Sequence, residues 1–237
     1  MNESTKSRPR REREGFFDKY MKGDGIDIGS GTDVVVPNAR GWDLEDGDAQ
    51  ELATVANESF DFVYSSHCLE HMRDPVVALL NWWRVLKPGG YLIFAIPDED
   101  LYEHGIWPSV YNPDHKNTFT VDKDKTWSPV GYNVTSLLAK LPSRKVIYIR
   151  TTDDGYDYNR HDDYDQTLGT AEAAIEVVVQ KIVPDFMWRT KLKGQARCPQ
   201  CGYGRLGLEG QSDDFTFACL CNRCGWRGGL TVPSGKK

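Results

Sequence analysis

The stretch that most constrains this chain is Gly25-Ile26-Asp27-Ile28-Gly29-Ser30-Gly31. A short apolar run, interrupted by one acid and closed by Gly-x-Gly, reads as a buried parallel strand that stops at a glycine turn. Glycine lets backbone approach a ligand closely, and open α/β sheets bind ligands at the carboxyl edge of their strands. The same residues also suit an ordinary tight turn, so the downstream sequence has to decide.

At 237 residues and 39% hydrophobic content, the chain suits one ordinary domain plus a smaller unit. No apolar run approaches the ~20 residues that span a bilayer, and Met1 to Glu14 lacks the apolar stretch of an export signal. The expected location is therefore the cytoplasm. Five of the six cysteines crowd between Cys198 and Cys224, which in such a chain favours metal over disulfides. The net charge of −6 is divided unevenly: from Pro184 onward nine Lys or Arg face four acids, and everything before carries −11. A body this acidic is poorly suited to tracking a phosphate backbone, whereas the basic end can touch an anionic partner or simply be solvated.

In chain order, residues 1–14 contain Lys6 to Glu14, a stretch without one apolar side chain, and are expected to be a disordered tail. Phe16, Phe17, Tyr20 and Met21 share one face of a short helix that packs on the sheet. The span from Thr32 to Asp48 is compressed. A parallel crossover takes ~10 to 12 residues including its helix, so the helix after the first strand is short or missing. Acids there, Asp43 and Asp48, suit ribose hydroxyls and an adenine amine, or are plain loop acids. Phe60 to Ser66 is the next strand. It runs into His67-Cys68-Leu69-Glu70-His71, which fits the H-x-x-E-H pattern of some zinc proteases. That match is set aside, because it lies at a strand exit and no third ligand is evident nearby. Asp74-Pro75 opens a helix whose apolar face is Val76, Val77, Leu79, Leu80, Trp83 and Leu86. Lys87-Pro88-Gly89-Gly90 ends it, and Tyr91 to Ile96 is a further strand.

Asp27 to Gly31, Gly47-Asp48-Ala49, Ser59 to Val63, Leu69-Glu70-His71 and above all Arg84 to Leu92 resemble the class I methyltransferases that use S-adenosylmethionine, in particular their type 11 branch. The resemblance runs from about Gly23 to Lys181. It implies a Rossmann-like α/β sheet, compressed after the first strand, with the cofactor at the carboxyl edge. On that resemblance Asp27, Gly29, Ser30 and Gly31 form the cofactor loop, the two glycines against the methionine end. Asp43 takes the ribose hydroxyls, Asp48 and Ala49 edge the adenine, and Ser66 and His67 floor the sulfonium. Asp33 stands where a third glycine is common, and the segment carrying Asp43 is shorter than usual.

A sulfonium methyl is already activated, so such a site aligns an acceptor and removes at most one proton. His115 is the first candidate base and His71 the next. His115 closes a turn-rich aromatic segment with His104, Trp107 and Tyr111, where the family places its substrate-facing loop. Val134 to Leu141 reads as a helix, and the strands Val146 to Ile149 and Ile175 to Ile182 as an antiparallel edge hairpin. Asp153 to Asp165 between them is an acidic, solvated loop.

The chain closes on Cys198-x-x-Cys201-Gly and Cys221-x-x-Cys224-Gly, two knuckles 19 residues apart that fit a four-thiolate structural Zn2+ ribbon. Cys219 is spare. Arg223 and Arg227 face a nucleic-acid or protein partner, or the ribbon is architectural. The expected organisation is a tail at 1–14, a methyltransferase domain at 15–183, a linker at 184–194, a ribbon at 195–232 and a tail at 233–237. The leading expectation is a methyltransferase acting on a small molecule, sugar or glycan at oxygen or nitrogen. The alternatives are a nucleotide or nucleic-acid methyltransferase docked through the ribbon, and a non-catalytic binding module.

Overall fold

The computed structural model describes residues 3–121, 123–160, 165–182, 200–201, 206–211, 216–221, 223–225 and 227–231. Its centre is a six-stranded sheet. The strands are β1 (Gly25–Ile28), β2 (Ala39–Trp42), β3 (Phe60–Ser66), β4 (Leu86–Pro97), β7 (Arg144–Thr152) and β8 (Ala174–Lys181), in the order β2-β1-β3-β4-β8-β7. The first four run parallel, and β8 is antiparallel to both β4 and β7. Between β4 and β7 a two-stranded parallel pair, β5 (Thr118–Thr120) and β6 (Gly131–Asn133), sits apart from the main sheet.

Alternation along the strands sorts two apolar layers. Val63, Leu92, Phe94, Ile96, Ile175, Val177 and Val179 point to one face. There they meet Leu79, Trp82 and Trp83 of α3 (Pro75–Val85) and Leu137 and Leu138 of α4 (Val134–Leu138). Asp74 caps α3 by accepting from the amides of Val76 and Val77, as its sequence implies. Phe62, Tyr64, Ile93 and Val178 point the other way, onto Phe16 and Tyr20 of α2 (Phe16–Tyr20) and onto Met21.

Compression after β1 is real. Ten residues separate the end of β1 from β2, no helix intervenes, and β2 is the sheet edge. The edge hairpin β7/β8 is present as the sequence implied.

Residues 3–14 depart from expectation. Glu3–Arg13 is an 11-residue helix, α1, not a disordered tail. It has almost no apolar surface to bury, so hydrophobic patterning could not find it. Its anchor is ionic: Arg10 and Arg11 are 9% and 1% exposed, on Glu172 and Glu176 at the other end of the domain sequence.

Three further strands, β9 (Leu206–Gln211), β10 (Thr216–Cys221) and β11 (Arg227–Thr231), form an antiparallel sheet in the order β11-β10-β9. Cys198 lies outside the described residues. The sulfurs of Cys201, Cys221 and Cys224 converge within 4.8 Å, with Cys201 and Cys221 3.7 Å apart. Arg227 turns inward: its guanidinium is 3.6 Å from Asp61 and donates to the Pro88 carbonyl, contacts with the main domain rather than an outward docking face.

Candidate functional site

The chain leaves β1 for β2 on one side and later returns to β3 on the other, so strand order reverses at β1. Crevices open at such switch points, beyond the carboxyl ends of the strands. Here the crevice is a cleft of about 580 Å3 lined by Glu3, Ser4, Gly29 to Asp33, Asp43, Ser66 and His67. That volume lies in the range of small-molecule sites. Among the described residues, its lining carries Glu3, Asp33 and Asp43 and no Lys or Arg. A pyrophosphate-bearing dinucleotide is ill matched to that charge; a cation-bearing ligand fits it.

Local geometry follows from the glycines. Gly29 has φ +76°, and a Cβ there would lie 2.7 Å from the Cys68 sulfur, so only glycine lets the turn seat over Cys68. Gly31 has φ +52° and open space around it, and its amide donates to Asp43 Oδ2 at 2.7 Å. That bond holds loop and acid together across two strand ends. His67 adopts a left-handed φ of +51° at the exit of β3, a conformation rare for a non-glycine residue and concentrated at functional positions. Helix α1 covers one rim, where Thr5 donates to Asp33 at 2.7 Å and Glu3 Oε2 lies 3.7 Å from His67 Nε2.

Of the residues expected to hold a cofactor, Gly29, Ser30, Gly31, Asp43, Ser66 and His67 line the cleft together. Asp27 does not. It lies beneath the loop, 1% exposed, accepts from the Val35 amide at 2.7 Å, and is pushed up to about 7 by burial. Asp48 and Ala49 also stand outside this lining. Asp48 is drawn off by Arg73 at 2.7 Å, which lowers its pKa, and the Ala49 carbonyl accepts from Trp82 Nε1 at 2.8 Å.

The two candidate bases meet next to the cleft rather than in it. Their rings sit 5.1 Å apart, brought together because the amides of Lys116 and Asn117 both donate to the Glu70 carbonyl, at 2.9 and 3.1 Å. This clamps the long aromatic segment onto the Leu69–His71 turn. His115 is almost fully buried, 2.7 Å from Glu103 through Nδ1 and beside the Tyr102 ring. His71 keeps 25% of its side chain exposed. Burial lowers the pKa of His71, and burial brings His67 to about 3, so His67 is neutral at physiological pH.

The structure also supplies what the sequence was read as lacking: His115 approaches Glu70 to 4.0 Å, a third imidazole beside His67 and His71. One of the two reasons for setting aside the His67 to His71 pattern therefore falls; the other, its place at the exit of β3, stands. Glu70 and Glu103 were not singled out as site residues. Only Glu70 carried a signal, within Leu69-Glu70-His71; Glu103 reaches His115 through tertiary folding.

Residues 25–94 match the family described as a methyltransferase domain. An uncharacterized methyltransferase of Schizosaccharomyces pombe is 38% identical over 58 residues, 24% of this chain and 20% of that protein. The chain thus matches about a fifth of that relative's length. Among solved structures, a methyltransferase from Archaeoglobus fulgidus aligns with TM-score 0.46 and 16% identity over 75% of this chain and 93% of its own. A putative methyltransferase solved in complex with the Haloferax volcanii Trm112 activator aligns with TM-score 0.45 and 15% identity, over 77% and 99%. Residues 25–94 are thus similar to a methyltransferase domain, within a Rossmann-like sheet. Among the described residues, no helix is long and apolar enough to cross a membrane.

Proposed function

We propose that this chain transfers a methyl group from S-adenosylmethionine to an oxygen or nitrogen of a small-molecule, sugar or glycan acceptor. The observation that carries the reading is the acidic cleft at the β1 switch point, built by the same Gly29 to Gly31 loop that lies in the matched methyltransferase stretch. The residues present fit such a donor: flexible glycine backbone for close approach, Asp43 for ribose hydroxyls, and an anionic lining for a sulfonium. When bound, the donor supplies an electrophilic methyl group. The chain's own residues orient it, exclude water beneath α1, and remove the acceptor's proton. His71 is the better placed imidazole for that, since an acceptor can reach it; buried His115 packs against it and fixes its ring.

The Cys201, Cys221 and Cys224 sulfurs support a thiolate Zn2+ ribbon completed by Cys198. The inward contacts of Arg227 favour an architectural ribbon over one that docks nucleic acid.

Isothermal titration with S-adenosylmethionine and its demethylated product tests the donor site. Heat with both is expected, and weaker binding by Asp43→Ala. Absence of heat with either ligand overturns the reading. A tritiated-methyl screen over sugars, nucleotides and nucleic acid then assigns the acceptor.

A further inference from the structure

Beside the cleft, the buried carboxylate of Glu70 has no hydrogen-bond partner on either oxygen. Its side chain is 1% exposed. Leaving a buried polar group unpaired is costly, so such a group calls for a partner. Three imidazole nitrogens surround its Oε1: His71 Nε2 at 3.8 Å, His115 Nε2 at 4.0 Å and His67 Nδ1 at 3.8 Å. None is close enough to donate a hydrogen bond.

The far sides of two of these rings are already engaged. His71 Nδ1 lies 3.0 Å from Asp114 Oδ2, and His115 Nδ1 lies 2.7 Å from Glu103 Oε1. A carboxylate on Nδ1 holds the proton there, which leaves each Nε2 as a lone pair directed toward Glu70. These lone pairs then face the Glu70 carboxyl across gaps too long for a hydrogen bond. A metal-ligating histidine has this arrangement, with a carboxylate behind the ring and the ion in front. Ligands ~2.0–2.2 Å from an ion are themselves roughly 3–4 Å apart, the spacing seen here.

We propose that Glu70, His71 and His115 bind a divalent first-row transition metal, zinc above all, with His67 at the edge of the site and the ion reached past the half-buried His71. Two imidazoles and one carboxylate are a known zinc donor set, and imidazole disfavours calcium and magnesium. The site does not depend on the methyl-transfer reading. Where both hold, the ion occupies the lone pairs of the two candidate bases, and an acceptor hydroxyl bound to it would be acidified and lose its proton to solvent.

Full-length protein, stripped with chelator, is titrated with Zn2+ and with Co2+ alone. Wild type should take up one equivalent more than Glu70→Gln and than the His71→Ala/His115→Ala double variant. The extra cobalt should absorb without the sulfur-to-cobalt charge-transfer band that the cysteine cluster produces. Equal uptake by wild type and folded variants overturns the proposal. Should the variants fail to fold, wild type alone decides: zinc should shield the part-exposed His71 from diethyl pyrocarbonate, read by peptide mass, and equal modification of His71 with and without zinc overturns it.

Discussion

Two glutamates of the same domain, Glu176 and Glu70, have residue exposures of 0%, and their surroundings differ in kind. Around Glu176 stand Arg11 at 2.7 Å, Arg150 at 2.6 Å, Arg10 at 3.1 Å and the Tyr148 hydroxyl at 2.8 Å. Burial alone would raise its pKa, but Arg11, Arg10 and Arg150 overcome that and hold it near 2. Around Glu70 stand three imidazoles beyond hydrogen-bond distance, and burial, with Glu3 and Glu103 nearby, moves its pKa the other way. One carboxylate is neutralised by the chain itself and fastens α1 to the sheet. The other is held in place but left without a cation. Burial is thus no guide to a carboxylate's role; what decides is whether the fold provides its counter-charge.

The comparison is broken most severely at Glu176. Glu176→Gln removes the charge facing a 1% exposed Arg11 and should cost about 3–5 kcal/mol, measured by urea unfolding, with α1 detached. A loss under about 1 kcal/mol would mean the ion cluster does not anchor α1. The same contrast sets an acid limb. Because the folded pKa of Glu176 lies below its ordinary value of 4.5, its contribution is fully present above that value and is lost as pH falls toward about 2. Thermal melts across that window should show a steep fall in wild type and a shallower one in Glu176→Gln.

At Glu70 the sign reverses. In metal-free protein Glu70→Gln removes an unpaired buried carboxyl and should leave stability within about 1 kcal/mol of wild type, by the same urea assay. A penalty matching that of Glu176→Gln would show that Glu70 has a partner within the chain. Smallest is the exposed counterpart, Asp48, paired with Arg73 at the surface. Asp48→Asn should change stability by about 0–1 kcal/mol, and by less in high salt.

Legibility followed the range of the interaction. Helix α3 with its Asp74 cap, strand β3 and the turn after β1 rest on neighbours within a few residues, and the sequence located each. Helix α1 rests on partners more than 160 residues away, and its polar composition reads as a tail. The cofactor loop was legible at Gly29 and Gly31 because backbone demands glycine there. Asp48 was not, since its pairing with Arg73 is settled by how the Gly47 to Gln50 turn packs. His67, Glu70 and His71 were visible as a spacing; the part played by His115 was not.

By itself, the sequence determined helix α3, strands β1, β3, β4, β7 and β8, the glycine turn at the first strand and the cysteine spacing, because local backbone preference and side-chain periodicity act within a few residues. Tertiary structure alone decided which charges meet. Glu176 found its arginines, and Glu70 its three imidazoles, because electrostatic and ligand interactions act across a few ångströms of space regardless of the length of chain between them.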